Sequence, residues 1–257
     1  MADRTSKRRI AVVTGGSSGI GQSIVTKLLS DGMSVAAICR DTSKLKLESK
    51  NLAKIKADVT DPTQIRQALD KIRKVFDSPS IDVLVNNAGI AGPIKPTTEV
   101  SLKEWNETIE VNLTGAFLCT KFVVPRMIAS RSWGRIVNIS SMVGKTSTSF
   151  RAAYSASKMA LIGFTRSLSA ELGAFGITVN AVCPGPVEGE RIREVMANYA
   201  RLRNLGQDQI RKNMVERSSL KRMTRPEEVA AAVSFLVSRE ASAITGQDLN
   251  VNSGSGA

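Results

Sequence analysis

The chain has 257 residues, 42% of them hydrophobic, and a formal net charge of +13, because 36 Lys and Arg outnumber 23 Asp and Glu. A chain of this length can bury a sizeable core as one domain, residues 1–257. It contains no run of about eighteen apolar residues, and its N-terminus is polar, so neither a transmembrane helix nor a signal peptide is expected.

Short apolar runs rich in β-branched residues alternate with helical patterns along the chain. Strands are predicted at Ile10–Thr14, Ser34–Cys39, Ala53–Ala57, Asp82–Val85, Arg135–Ile139, Thr178–Val182 and Asp248–Val251. Helices are predicted at Gly19–Ser30, Pro62–Phe76, Leu102–Ile128, Ala152–Leu172 and Pro226–Val237. This alternation, with mostly continuous apolar strands, predicts an α/β fold with about seven parallel strands and helices on both faces of the sheet.

Residues 190–225 interrupt the alternation. The segment has a helical pattern but is polar, and it lies where a further repeat is expected. It carries ten basic and four acidic side chains, a net charge of +6, which is nearly half of the charge of the chain. We interpret it as an inserted helical lid.

The first predicted strand runs directly into the glycine-rich segment Thr14-Gly-Gly-Ser-Ser-Gly-Ile-Gly21, which opens a helix. Glycine permits a tight turn and a close approach of the backbone to a pyrophosphate, which then lies at the helix N-terminus. The spacing is GxxxGxG instead of the better-known GxGxxG. We predict a dinucleotide site here, formed by Gly15, Ser17, Ser18, Gly19, Ile20 and Gly21.

The end of the second strand bears on the choice of cofactor. A carboxylate there would bind the ribose 2′-hydroxyl of NAD and repel a 2′-phosphate. Here Cys39 closes the strand and Arg40 follows it. A guanidinium is suited to hold a 2′-phosphate, so NADP(H) is favoured over NAD(H). In the alternative interpretation, Arg40 is a solvated loop residue and Asp41 turns inward to the ribose.

A candidate acid–base pair lies in the helix predicted at Ala152–Leu172. The chain has no histidine, but Tyr154 and Lys158 are four residues apart and share a helix face. A nearby ammonium favours the phenolate and lowers a pKa that is normally about 10. Ser140 or Ser141, after the fifth strand, could hydrogen-bond the substrate oxygen that exchanges a proton with Tyr154. The alternative is an ordinary helix with a surface Tyr and Lys.

Together these motifs resemble the short-chain dehydrogenase/reductase (SDR) superfamily over essentially the whole chain. The resemblance rests on TGGSSGIG at 14–21, NNAG at 86–89 and YSASK at 154–158, in this order. It implies a single-domain doubly wound Rossmann fold. It also implies an NAD(P)-dependent oxidoreductase that interconverts a carbonyl and a secondary alcohol, as a homotetramer built on the helices at 102–128 and 152–172.

The resemblance also assigns site residues. It implies that the catalytic residues are Asn112, Ser141, Tyr154 and Lys158. Ser141 is preferred to Ser140 because the usual separation of the family's Ser and Tyr is thirteen residues. It implies cofactor contacts from Tyr154, Lys158, Asp58, Val59, Asn86, Ala88, Gly89, Pro184, Gly185 and Val187. Asn86 and Gly89 are expected to line the path of the cofactor.

In the mechanism that the resemblance implies, Tyr154 protonates the carbonyl oxygen while Ser141 hydrogen-bonds it. Lys158 holds the nicotinamide ribose and lowers the pKa of Tyr154, and Asn112 connects Lys158 to water. The residues alone leave another interpretation of Asn112 open, as a helix-kink residue bonded to backbone.

Two segments depart from the family pattern. Many members carry a Thr five residues after the proline that corresponds to Pro184, where it bonds the carboxamide of the nicotinamide. This chain has Gly189 there, so the carboxamide is expected to rely on the Val187 backbone or on a neighbour such as Glu188. The C-terminal Val-Asp-Gly-Gly of many members is Val251-Asn-Ser-Gly254 here.

Charge and cysteine usage bear on partners and compartment. Cys39, Cys119 and Cys183 are odd in number and far apart, which predicts free thiols, no metal site and a cytoplasmic protein. The positive charge indicates an anionic partner or a solvated basic surface. We expect a small carbonyl or alcohol substrate, with Arg191 or Arg193 contacting an anionic group on it.

Other function classes are less well supported by the sequence. Specific nucleic-acid binding is not expected, since two Trp, two Tyr and seven Phe form no recognisable stacking motif. No membrane partner is expected either. The remaining alternative is a non-catalytic nucleotide-sensing or scaffold protein on the same fold.

Overall fold

A computed structural model of the chain describes residues 8–130 and 133–256. Its centre is a sheet of seven strands: β1 Ile10–Thr14, β2 Ser34–Cys39, β3 Leu52–Lys56, β4 Val83–Asn86, β5 Gly134–Ile139, β6 Ile177–Pro184 and β7 Asp248–Val251. The strands are parallel and lie in the order β3-β2-β1-β4-β5-β6-β7. The strand order reverses between β1 and β4, which places a crevice at their carboxyl ends.

Helices cover both faces of this sheet. They are α1 Gly19–Ser30, α2 Pro62–Val75, α3 Leu102–Ile109, α4 Gly115–Ala129, α5 Ala152–Leu172, α6 Glu190–Arg203, α7 Gln207–Glu216 and α8 Pro226–Leu236. One buried apolar cluster joins the sheet to α2, α4 and α5, and a second joins its other face to α1 and α8. The predicted doubly wound Rossmann fold is confirmed.

Local sequence signals set most element boundaries. The bounds of β1, α1, β2, α5 and β7 are those predicted, and those of β3, α2, β4, β5, β6 and α8 differ from prediction by one or two residues. Helix α2 illustrates the cause, because Asp61 caps it through the backbone N–H groups of Thr63 and Gln64, and Pro62 begins it.

The long helix predicted at Leu102–Ile128 is wrong as a continuous α-helix. The structure has α3, then a π-helical segment Glu110–Thr114, then α4. A π-segment inserts a residue into the helical turn and re-aims side chains, and such segments occur frequently at functional sites. Here it includes Asn112, which is 1% exposed.

The segment predicted to be a lid contains α6 and α7, which pack against each other. Between them lies a small apolar cluster that also contacts the loop after β4 and the loop before α5. Its buried members are Val195, Met196, Tyr199, Ala200, Ile210 and Met223. Within the described residues, no helix has both the length and the apolar character needed to cross a membrane.

Candidate active site

The glycine-rich loop between β1 and α1 is held by contacts that leave no room for side chains. Gly15 has φ +65°, and a Cβ built on it would lie 2.9 Å from the Cα of Ala88. A Cβ on Gly21 would lie 2.1 Å from the carbonyl oxygen of Gly15. The N-terminus of α1 therefore packs on the backbone of its own loop, as the glycine spacing predicted.

The loop is tied to the neighbouring NNAG segment by two residues that the sequence analysis did not select. The Oγ1 of Thr14 accepts hydrogen bonds from the backbone N–H of Asn87 and Ala88, at 3.0 and 3.1 Å. The side-chain amide of Asn87 donates to the carbonyl oxygens of Thr14 and Gly15, at 2.9 and 3.0 Å. The signal for Asn87 was its position after β4, beside the end of β1.

Asn86 points into the protein. It is 3% exposed, and its amide nitrogen donates to Thr120 Oγ1 and to Asn138 Oδ1, at 3.1 and 2.8 Å. The amide of Asn138 donates in turn to Thr165 on α5, at 2.9 Å. This chain of buried polar groups links β4, β5, α4 and α5. The amide nitrogen of Asn86 is thus bonded to the protein, whereas its Oδ1 is buried without a hydrogen-bond partner within the described residues.

The carboxyl ends of β2 and β3 carry the residues predicted to bind the adenosine end of the cofactor. Arg40 is exposed. The Oδ1 of Asp41 accepts hydrogen bonds from the hydroxyl and the backbone N–H of Ser43, at 2.6 and 3.0 Å, and these bonds hold the pKa of Asp41 below its usual value. The Oδ1 of Asp41 is thus bonded within its own turn, and Arg40 lies beside it as an exposed cation.

Asp58 and Val59 follow β3. The Oδ1 of Asp58 accepts from the backbone N–H and the hydroxyl of Thr60, at 3.0 and 2.8 Å. Val59 is 7% exposed, and a Cβ built on Gly115 would lie 2.7 Å from its Cγ2. The turn after β3 is therefore packed against the start of α4.

Tyr154, Lys158 and Ser141 converge at the carboxyl end of β5. The ammonium of Lys158 lies 5.7 Å from the centre of the Tyr154 ring and donates to the carbonyl oxygen of Ile139 at 2.8 Å. The hydroxyl of Ser141 lies beside that of Tyr154 and accepts a hydrogen bond from the backbone N–H of Val143 at 3.2 Å. Ser140 instead donates to the Lys158 carbonyl oxygen at 2.7 Å, so Ser141 is the serine beside the phenol.

Burial and charge act in opposite directions on Tyr154. Burial raises the pKa of its phenol, but the cations Lys158, Arg151 and Arg191 and the neighbouring hydroxyl of Ser141 together bring that pKa below its usual value. The pKa of Lys158 is also lowered, first by burial and then by Arg191. The phenol can therefore release and regain a proton more readily than an isolated tyrosine.

Asn112 makes three side-chain hydrogen bonds to two residues. Its Oδ1 accepts from the backbone N–H of Ile90 at 2.7 Å, and its amide donates to the Ile90 carbonyl oxygen at 3.1 Å and to Ser157 Oγ at 3.0 Å. A Cβ on Gly89 would lie 2.9 Å from this Oδ1 and 3.5 Å from the Lys158 Nζ. Asn112 therefore joins the loop after β4 to α5, and Gly89 lies directly beside Lys158.

Two arginines join this site, and sequence reasoning found only one of them. Arg191, at the start of α6, donates to the Gly89 carbonyl oxygen at 2.7 Å. Arg151, directly before α5, has its guanidinium carbon 4.3 Å from the centre of the Tyr154 ring. Arg193 is exposed. The position of Arg151, three residues before Tyr154 and one turn away on the same face, was the available signal.

The turn after β6 has a close backbone contact and an unusual glycine. A Cβ on Gly185 would lie 2.9 Å from that of Asn252. Val187 forms a parallel bridge with Thr224 through the carbonyl of Pro186 and the N–H of Glu188, so the polar atoms of Val187 take no part in it. Gly189 has φ +140°, a conformation that disfavours the threonine of other family members.

Comparison with known proteins shows the family to which the chain belongs. Residues 15–255 match the family model described as enoyl-(acyl carrier protein) reductase. The 3-oxoacyl-(acyl-carrier-protein) reductase FabG of Aquifex aeolicus is 38% identical over 96% of each chain. A variant of actinorhodin polyketide ketoreductase, solved with NADPH, is 36% identical and superposes with a TM-score of 0.91 over 97% of each chain.

A sugar-oxidising relative has the same fold. The ligand-free aldohexose dehydrogenase of Thermoplasma acidophilum is 36% identical, with a TM-score of 0.85 over 96% of this chain and 94% of that one. The chain belongs to the short-chain dehydrogenase/reductase superfamily. It is an NAD(P)-dependent oxidoreductase that interconverts a carbonyl and an alcohol.

Proposed function

We propose that this protein reduces the ketone of a 3-oxo acyl compound with NADPH. The observation that carries the proposal is the convergence of Tyr154, Lys158 and Ser141, three groups from two separate segments, around one phenol. The 3-oxoacyl and polyketide ketoreductase relatives support the choice of a ketoacyl compound. Fold alone would not, since the aldohexose dehydrogenase shares it.

The proposed mechanism assigns one task to each residue. NADPH, when bound, supplies a hydride, the two electrons of the reduction, to the carbonyl carbon. Tyr154 transfers its proton to the carbonyl oxygen, and Ser141 orients that oxygen through a hydrogen bond. Lys158 stabilises the resulting phenolate and holds the ribose. Asn112 keeps the loop after β4 in contact with α5, and the phenol regains its proton from solvent.

The residues present fit a phosphorylated dinucleotide. Gly15 and Gly21 let the loop pack closely on backbone, and the Cβ position of Gly19 is open at the N-terminus of α1, where backbone N–H groups favour a phosphate. Arg40 is exposed at the end of β2, whereas the carboxylate of Asp41 is bonded to Ser43. This supports NADP(H) over NAD(H), with Asp58, Val59, Ala88 and the Pro184–Gly185 turn as further contacts.

We further propose that residues 190–225 cover the substrate and that the protein assembles as a cytoplasmic homotetramer. Exposed apolar side chains on α4, α5, α8 and β7 support such an assembly: Phe117 at 45% exposure, Met159 at 50%, Phe235 at 46% and Leu249 at 39%. Light scattering after gel filtration tests this, and a monomer at micromolar concentration would contradict the tetramer.

The test of function is a substrate panel. The purified protein is mixed with NADPH or NADH and a 3-oxoacyl thioester, a cyclic ketone or a simple ketone, and, in reverse, with NADP⁺ or NAD⁺ and an aldohexose. We expect NADPH consumption with the thioester. A protein that binds NADPH but turns over no carbonyl and no alcohol would be the non-catalytic alternative.

A further inference from the structure

Arg151 carries a buried charge that the protein leaves uncompensated. The residue is 5% exposed. Its Nη2 donates to the carbonyl oxygen of Ala91 at 3.2 Å, it contacts the hydroxyl of Tyr199, and its Nε has no hydrogen-bond partner within the described structure. A guanidinium offers five donors, and the partners seen here are neutral. Burial of an unpaired charge is costly, and charged groups in protein interiors are normally paired.

The surroundings of Arg151 add positive charge and no negative charge. Lys158 and Arg191 lie near the same phenol, and the charged side chains that act on Tyr154 are all cations. Across residues 8–130 and 133–256, none of the ion pairs with a carboxylate involves Arg151, Lys158 or Arg191. Three cations thus surround the reacting position without a counter-charge.

The apolar surroundings strengthen the positive electrostatic potential of these three cations. The apolar cluster of α6 and α7 packs against Ala91, whose carbonyl oxygen accepts a hydrogen bond from Arg151, and against Phe150, which precedes Arg151 in sequence. Charge interactions are stronger next to low-dielectric walls, and such clefts concentrate ligands of opposite sign. The phosphates of the cofactor are assigned to the glycine loop and to Arg40, so they do not account for Arg151.

We infer that the substrate of this site is an oxo acid with a free carboxylate close to its ketone, bound by Arg151 with Arg191. The guanidinium of Arg151 lies over the ring of Tyr154, within reach of a carboxylate on a ketone whose oxygen is at the phenol. Arg191 closes the same space from α6 through its bond to Gly89. A guanidinium suits bidentate capture of a carboxylate.

This inference rests on the proposed ketone reduction but narrows the range of substrates expected for it. The reaction remains hydride from NADPH to the carbonyl carbon and proton from Tyr154 to the oxygen, so the carboxylate is unchanged. The inference changes the substrate preference that we expect, from a carrier-bound thioester to a free oxo acid. A carrier-bound thioester has no negative charge at that position, whereas a free oxo acid has one.

The primary test compares acetoacetate with methyl acetoacetate, a pair that differs in that charge. We expect a higher kcat/KM for acetoacetate with NADPH. High salt should reduce this preference only in part, because Arg191 is exposed but Arg151 is buried, and buried charges are screened much less. Equal kcat/KM values for the two, or a preference for the ester, would overturn the inference while leaving the proposed reduction intact. If neither ketone consumes NADPH, the proposed function has failed for short ketones.

Variants separate substrate binding from an effect on Tyr154. Arg151→Gln should raise KM for acetoacetate about 10–100-fold, the loss expected for a charged hydrogen-bonding partner, and leave KM for the ester nearly unchanged. Arg151→Lys should restore part of the loss. Arg193→Gln is the matched control and should change neither KM, because Arg193 is exposed on the same helix as Arg191 but is not among the cations that act on Tyr154. Folding is checked by circular dichroism.

A different outcome would assign Arg151 to acid–base chemistry alone. In that case Arg151→Gln would shift the pH profile of kcat for both substrates equally, through Tyr154 and Lys158, and KM would not distinguish acid from ester.

A measurement of ligand binding tests the inference without turnover. Butyrate should raise the melting temperature of wild-type protein with NADP⁺ more than butyramide does, and Arg151→Gln should abolish the difference. An equal shift for both ligands would contradict the inference.

Discussion

The cofactor side and the substrate side of this protein are built differently. On the cofactor side, glycines bring backbone against backbone, and Thr14 and Asn87 tie the loop together with hydrogen bonds of 2.9–3.1 Å. On the substrate side, α6 and α7 pack through side chains around Val195 and Ile210. Arg191 and Tyr199 also donate side-chain hydrogen bonds to the carbonyl oxygens of Gly89 and Ser149.

This difference shows that cofactor binding and substrate selection need different degrees of geometric precision. A cofactor used in every turnover can be bound by rigid backbone geometry, which tolerates no added atom. A substrate is selected by side-chain charge and shape on elements that vary in sequence. Changes on the cofactor side should therefore affect folding and NADPH affinity, and changes on the substrate side should affect KM and specificity.

The largest effect is expected where the two sides meet. Tyr154→Phe keeps the ring but removes the proton donor, so kcat should fall by about 10²–10⁴ or more. NADPH affinity, measured by fluorescence titration, should remain nearly unchanged. A variant that retains more than about a tenth of kcat would show that Tyr154 is not the general acid.

The backbone packing of the cofactor side is tested at Gly21. Gly21→Val would force a Cβ to within 2.1 Å of the Gly15 carbonyl oxygen. We expect a loss of about 1–3 kcal/mol in the free energy of unfolding, because strain of this kind requires backbone shifts, together with weaker NADPH binding. Urea denaturation measures the first quantity.

The matched control for this variant is Gly173→Ala. Gly173 has φ −57° and ψ −39°, and its Cβ position is open. Alanine adopts this conformation without strain, so stability should stay the same or rise by about 0.4–1 kcal/mol. Similar destabilisation at both glycines would contradict the distinction drawn for Gly21.

Cofactor choice is tested at Arg40. Arg40→Asp removes the proposed partner of the 2′-phosphate and adds repulsion, so Kd for NADPH should rise on the order of 10–10²-fold while Kd for NADH changes little. Lys46→Asp makes the same change of charge at a nearby exposed position and should have little effect. A wild-type preference for NADH, or an unchanged NADPH affinity in Arg40→Asp, would refute the assignment.

The smallest predicted effect is a shift in pH dependence. Reduction requires a protonated phenol, so its kcat is high at low pH and falls as the pH rises through the pKa of Tyr154. Neighbouring cations lower that pKa, so the fall should occur below pH 10, the ordinary value for tyrosine being about 10. Alcohol oxidation should rise over the same interval. A reduction rate still constant at pH 10 would contradict this.

The sequence by itself determined the succession of strands and helices along the chain and the location of the cofactor loop. These features depend on local causes, namely β-branched runs, the Asp61 cap with Pro62, and glycines required by a turn. Tyr154 and Lys158 were identified for the same reason, because the helical repeat places them on one face.

Only the tertiary structure decided which groups meet around that face. It placed Ser141, the serine that the family resemblance implied, beside the Tyr154 phenol and turned Ser140 to the Lys158 carbonyl oxygen, because the direction of each side chain depends on how the loop after β5 packs against α5. It broke the predicted long helix with a π-segment that brings Asn112 to Ile90. It also buried Arg151 against Tyr154 without a counter-charge. Charge compensation is a sum over all neighbours in space, so no spacing along the chain reveals it.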